Sequence, residues 1–175
     1  YTILDTPIGR VLVAATERGV CAIMPGGADA ALEQALASEF PKAVRTRVDE
    51  GADGWLSEVV RRIAAQFSDA SPPARALPAD LRATAFQWQV WNALTRIPAG
   101  QTRSYAEVAR EIGRPTAARA VARACASNRL ALIVPCHRVI REDGSMGGYR
   151  WGLQAKDALL NFERKQFSRS APVQR

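Results

Sequence analysis

Ser104-Tyr-Ala-Glu-Val-Ala-Arg-Glu-Ile-Gly-Arg-Pro-Thr-Ala-Ala-Arg-Ala-Val-Ala-Arg-Ala-Cys-Ala-Ser127 reads as two helices and the turn between them. Ser104 and Glu107 have the spacing of a capping box, in which the hydroxyl takes the N3 amide and the carboxylate reaches back to the N-cap amide. Tyr105, Val108, Ala109 and Ile112 recur at i, i+3, i+4 and i+7, and Gly113 supplies a left-handed C-cap. Pro115 suits the first turn of a second helix running to about Ser127. Two helices joined by a short glycine-containing turn are a helix-turn-helix candidate.

In the second helix, alanine at 117, 118, 120, 122, 124 and 126 lets the backbone approach another surface closely. Arg119 and Arg123 are four apart and project on one side, with Arg129 just beyond. Taken alone, this is equally a packed alanine-rich helix with solvated arginines. Charge favours the DNA-facing reading. Residues 81–175 carry 16 Lys+Arg against 6 Asp+Glu, a net +10, whereas residues 1–80 carry 8 against 11, a net −3. A positive field confined to one half is the footprint of a polyanion-binding surface, nucleic acid being the commonest polyanion.

Upstream of this motif, Thr84 to Ile97 presents Phe86, Val90, Trp91, Leu94 and Ile97 on one helical face. The run Ser68 to Asp80 holds three prolines and few large apolar residues, and reads as a linker. Before it, Ile3-Leu4, Val11 to Ala15 and Val20 to Met24, separated by turn-prone segments, predict a small antiparallel meander. A helix from Asp29 to Phe40 with Asp29 as N-cap follows, then a further strand at Ala43 to Val48. Asp53 caps a helix carrying the stripe Leu56, Val59, Val60, Ile63 and Phe67. The domains expected are therefore 1–80, an α+β module ending in the linker 68–80; 81–168, a mostly helical unit; and a flexible tail at 169–175.

The 175 residues, 47% hydrophobic and 23% charged, are enough for a real core and exclude collagen-like, wholly disordered and disulfide-scaffold readings. No apolar run reaches the length of a membrane span. A start at Tyr1 instead of Met reads as a trimmed chain or a piece of a longer one. Three cysteines (Cys21, Cys125, Cys136), one histidine (His137) and no C-x-x-C spacing cannot assemble an ordinary structural zinc site. The sparse, odd cysteine count fits a reducing compartment.

Leu130 to Val134 reads as a short buried strand stopped by Pro135, and Cys136-His137-Arg138 follows at once. A thiol nucleophile must become a thiolate, so a base beside it is informative, although a buried inert cysteine next to a structural histidine is the plainer alternative. After Val139-Ile140, a glycine-rich loop leads to Tyr149-Arg150-Trp151-Gly152, a wall against which a planar ring could rest. A last helix, Leu153 to Lys165, puts Glu163 in an apolar stripe with Leu159 and Leu160. A Cys136-His137-Glu163 chain would give that carboxylate a partner.

Pro135-Cys136-His137-Arg138-Val139, with Asn128 before it and Gly148-Tyr149-Arg150-Trp151-Gly152 after it, resembles the active-site segment of the O6-alkylguanine-DNA alkyltransferases, most closely the C-terminal domain of the bacterial Ada-type members. The resemblance implies an α+β fold. In it, a small ribonuclease H-like antiparallel sheet with helices packs on a winged-helix-like domain containing the helix-turn-helix. It implies Cys136 as alkyl acceptor, His137 as its base through a bridging water, Glu163 as the carboxylate holding His137, and Asn128 as the brace of the active-site turn. Arg119 would fill the base stack after extrusion of the damaged nucleotide, and Tyr105 would help rotate the phosphate and assist the leaving guanine. Ala117, Ala118, Ala120, Ala122 and Arg123 would join them in the minor groove. Tyr149, Val139, Cys125, Arg150, Gly147 and Gly148 would form the substrate pocket.

The implied function is single-turnover repair of O6-alkylguanine, and of O4-methylthymine, in double-stranded DNA. The protein is expected to act as a cytoplasmic monomer with no cofactor, no metal and no membrane partner. Two other readings compete with it. A non-catalytic alkyltransferase-like module would carry tryptophan in place of Cys136. A thiol hydrolase would turn over, and would need Cys136 and His137 to face each other although neighbours in an extended segment point apart.

Overall fold

The computed structural model describes residues 1–48, 54–67 and 78–170, with side chains to 166. The described residues within 1–82 and 129–133 form one compact unit, and those within 83–128 and 134–175 form a second.

The first unit is built on a three-stranded antiparallel sheet in the order β1 (Thr2–Thr6), β2 (Gly9–Thr16), β3 (Gly19–Gly26). Seven successive residues of β3 are buried, more than a half-solvated strand allows, so both of its faces are covered. Val20 donates to Pro78 O at 2.8 Å and Asp80 to Val20 O at 2.9 Å, so the end of the expected linker runs as a parallel bridge beside β3; residues 68–77 lie outside the described residues. Gly19, at φ +153°, permits this approach, since a Cβ there would sit 2.5 Å from Pro78 O.

Helix α1 (Asp29–Glu39) lays Leu32 and Leu36 against the sheet. Its N-cap is Ala28, not Asp29. Asp29 stands in the first turn, where Arg10 Nε (2.7 Å) and Arg47 Nη2 (2.8 Å) hold its carboxylate, a better outlet for that charge than the helix end. Residues 43–48 form no assigned strand, although Tyr1 pairs with them: its amino group donates to Thr46 O at 2.8 Å and Val48 N–H donates to Tyr1 O at 2.8 Å. Helix α2 (Trp55–Ala65) starts from Gly54 and buries Val59, Val60 and Ile63; Asp53 lies outside the described residues.

The expected strand at 130–134 is also absent. Leu130 alone bridges Ile23, and Leu132 turns the chain at φ +72°, a left-handed conformation that no strand continues through.

In the second unit, α3 (Ala85–Leu94) opens with a Thr84–Gln87 capping box, and Trp91 Nε1 donates to Ala124 O at 2.9 Å. The Ser104–Glu107 capping box starts α4 (Tyr105–Glu111), and Gly113 lies at φ +72° two residues beyond its end. Helix α5 begins at Ala118 and runs to Ala126; Pro115 sits in the preceding turn instead of opening the helix. A two-residue parallel pair, β4 (Arg103–Ser104) with β5 (Val139–Ile140), ties the start of α4 to the segment after the cysteine. Helix α6 (Leu153–Ser170) extends past Lys165. No described helix is long and apolar enough to cross a membrane.

Candidate active site

Cys136 lies in a single 3-10 turn, Cys136–Arg138, entered from Pro135. The segment is therefore not extended, as the sequence reading assumed for the hydrolase alternative. Asn128, wholly buried, fixes the turn by donating Nδ2–H to Val134 O (2.9 Å) and to Cys136 Sγ (3.1 Å).

His137 is 1% exposed, and its Nε2 lies 2.8 Å from Glu163 Oε1. Arg138, the next residue, adds Nη2–H to the same oxygen at 2.7 Å and Nε–H to both oxygens at 3.0 and 3.1 Å. Gly100 N–H donates to Oε2 at 2.9 Å. Burial alone would raise the Glu163 carboxyl, but hydrogen bonds and charge from His137 and Arg138 bring it down to about 2, so it is ionised. A carboxylate accepts only, which assigns the proton of neutral His137 to Nε2 and leaves Nδ1 as a buried acceptor with no protein partner. Burial lowers His137 while Glu163 opposes that shift, and burial raises Cys136 against the Asn128 hydrogen bond and the Lys156 charge. The resting pair is a thiol and a neutral imidazole.

A cavity of about 500 Å³ opens over Cys136, bounded by α4, α5 and the segment 141–150. Tyr105, Ala118, Arg119, Ala122, Cys125, Gly148, Tyr149 and Arg150 line it, as does Arg141, which the sequence reading did not single out. Tyr105 OH, raised to about 12 chiefly by burial, stands 3.4 Å from Gly148 O. The Tyr149 hydroxyl is buried without a partner.

Several expected positions fall elsewhere. Val139 is wholly buried in the β4–β5 pair and does not line the cavity. Gly147 acts from behind the wall: at φ +63°, its absent Cβ would lie 3.1 Å from Tyr105 Oη. Ala117 is the N-cap of α5. Ala120 and Arg123 face a separate depression with Phe86 and Gln87, so the two arginines four apart diverge.

Lys156 was missed. Fully buried, it donates to Val139 O (2.6 Å), Met146 O and Gly148 O (3.4 Å), holding both ends of the loop that walls the cavity. Lys156, Leu159, Leu160 and Glu163 recur at i, i+3, i+4 and i+7, a stripe with a charge at each end; that spacing was the available signal. Among the described residues, no group of three or more His, Cys, Asp or Glu side chains could hold a metal ion.

Fold and site together define a thiol-bearing helix-turn-helix protein. The chain belongs to the 6-O-methylguanine DNA methyltransferase family, whose ribonuclease-like domain matches residues 1–81 and whose DNA binding domain matches residues 85–165. It is 48% identical over 163 residues to the bifunctional transcriptional activator/DNA repair enzyme Ada of Escherichia coli, covering 93% of this chain and 45% of that protein. The chain thus spans less than half the length of that relative. It is 37% identical to the methylated-DNA–protein-cysteine methyltransferase of Methanosarcina barkeri, covering 93% of this chain and 96% of the other. Among solved structures it resembles Mycobacterium tuberculosis OGT in complex with DNA, at 37% identity and a TM-score of 0.72, covering 94% and 92% of the two chains.

Proposed function

We propose that this chain repairs alkylated DNA by moving the O6-alkyl group of guanine onto Cys136, once per molecule. The observation that carries this reading is the position of Cys136 at the wall of a ring-sized cavity, directly followed by an imidazole whose far nitrogen is held by an ionised carboxylate.

Guanine O6 lies on a base edge inside the stacked duplex, so a protein-held sulfur reaches its alkyl carbon only after the nucleotide is turned out. Arg119 stands at the cavity on α5, placed to fill the gap, and the small residues Ala118 and Ala122 let that helix lie close to the minor groove. Tyr105 and Tyr149 provide faces for the everted ring. His137 Nδ1 then takes the thiol proton through a water, Glu163 stabilises the imidazolium, and sulfur attacks the alkyl carbon in line. Guanine leaves with a proton, assisted by the Tyr105 hydroxyl. O4-methylthymine presents the same exocyclic oxygen and is a second substrate.

The thioether has no route back to a thiol. A neutral thioether carries no leaving group that water or a neighbouring thiol displaces, so the protein is consumed.

Incubation with excess duplex carrying one O6-methylguanine tests the reading. One equivalent of lesion lost per protein supports it. Repeated turnover supports a hydrolase, and tight binding with the lesion intact supports a recognition module.

A further inference from the structure

Cys125 is a free thiol on the last turn of α5 that the transfer chemistry leaves unused. It lines the same cavity as Cys136. Asn128 joins the two residues: its backbone N–H donates to Cys125 O at 3.2 Å, and its side chain donates to Cys136 Sγ at 3.1 Å. Both cysteines therefore line one cavity and are joined through a single asparagine.

A methyl on Cys136 offers Cys125 nothing to attack. An alkyl group bearing a second leaving group does. We propose that Cys125 is a second acceptor site, which converts a haloalkyl group received by Cys136 into an intramolecular dithioether bridge. This rests on the transfer reading above.

With a 2-chloroethyl group, Cys136 first carries S–CH2–CH2–Cl. Burial keeps the Cys125 thiol protonated at rest, so its sulfur bonds to the terminal carbon as it gives its proton to water in the cavity, while the C–Cl bond breaks and chloride leaves with the bonding pair. The product is Cys136-S–CH2–CH2–S-Cys125, and no oxidant, reductant or cofactor enters the balance. A thiol held in the same cavity competes with bulk water through proximity. The consequence is that a half-reacted mustard is discharged within the protein instead of remaining free to alkylate DNA.

The test uses the whole chain and a duplex with one O6-(2-chloroethyl)guanine, prepared and used at once, beside a duplex with O6-methylguanine. Trypsin separates the thiols into peptides 124–129 and 130–138. The proposal expects these two peptides linked by a two-carbon bridge with chlorine lost, in excess over the hydroxyethyl adduct by about tenfold or more. In Cys125→Ala the adduct on Cys136 is the hydroxyethyl thioether. Wild-type Cys136 carrying chloroethyl or hydroxyethyl with Cys125 free overturns this inference and leaves the transfer reading intact. Cys136 unmodified by both duplexes overturns both.

Discussion

Glu163 Oε1 accepts from His137 Nε2 at 2.8 Å while also accepting from Arg138 Nη2 at 2.7 Å. One oxygen thus serves the imidazole and the guanidinium beside it. Glu163→Gln keeps the shape and removes the charge, leaving Arg138 with an uncompensated, largely buried cation. We expect a loss of about 3 kcal/mol in urea unfolding, the order seen when one member of a buried pair is removed. Methyl transfer in a single-turnover assay should slow by about 100-fold, because His137 loses the carboxylate that orients and stabilises it. Unchanged transfer would remove Glu163 from the mechanism.

Acid should unfold the protein through the same carboxylate. Its folded pKa of about 2 lies below the ordinary glutamate value of 4.5, so its contribution is complete above about pH 4.5 and is lost as pH falls towards 2. The magnitude is on the order of 3 kcal/mol. Stability measured by urea titration across that window should fall in wild type and fall much less in Glu163→Gln.

His137 is pushed below 6.5 by burial, so it stays neutral at pH 6.5 and below before it charges. The single-turnover rate should therefore be level from pH 7.5 to 6.5 and decline only in more acid solution. A decline centred above 6.5 would show that the site lacks the buried neutral base.

Lys156→Met removes a buried donor from three carbonyls. Stability should drop by about 2 kcal/mol, since polar groups of the loop lose their partner in the interior. Amide hydrogen exchange across 139–148 should quicken, and iodoacetamide should reach Cys136 faster. A merely structural loss elsewhere would not concentrate its exchange effect in that loop.

Arg119→Ala should slow transfer from a lesion in duplex DNA by at least tenfold, and from the same lesion in single-stranded DNA by less, since only the duplex needs its stack refilled. Equal losses on both substrates would assign Arg119 to general phosphate binding. Wild-type affinity for undamaged duplex should fall as salt rises.

Much of the second unit was legible because its signals are local. The Ser104–Glu107 box, Gly113 and the α5 alanines each act within a few residues, and the structure shows the box and the left-handed glycine where the spacing put them. Glu163 was legible as a carboxylate stranded in an apolar stripe, and His137 as the sole imidazole in the chain. What escaped depends on distant partners. Asp29 left its capping role for Arg10 and Arg47, the 130–134 run turned at Leu132 instead of extending, and Arg138 joined Glu163 across 25 residues. The stripe spacing placed Lys156 on the buried face, but its acceptors are backbone carbonyls, which every residue possesses, so its partners could not be read from the sequence.

The most direct measurement is intact mass with peptide mapping after exposure to a duplex containing one O6-methylguanine. The account predicts a single added methyl per chain, carried by Cys136 in peptide 130–138, in step with lesion lost, and no such gain in Cys136→Ser. Restored DNA accompanied by protein of unchanged mass, or a methyl on any other residue, would contradict it.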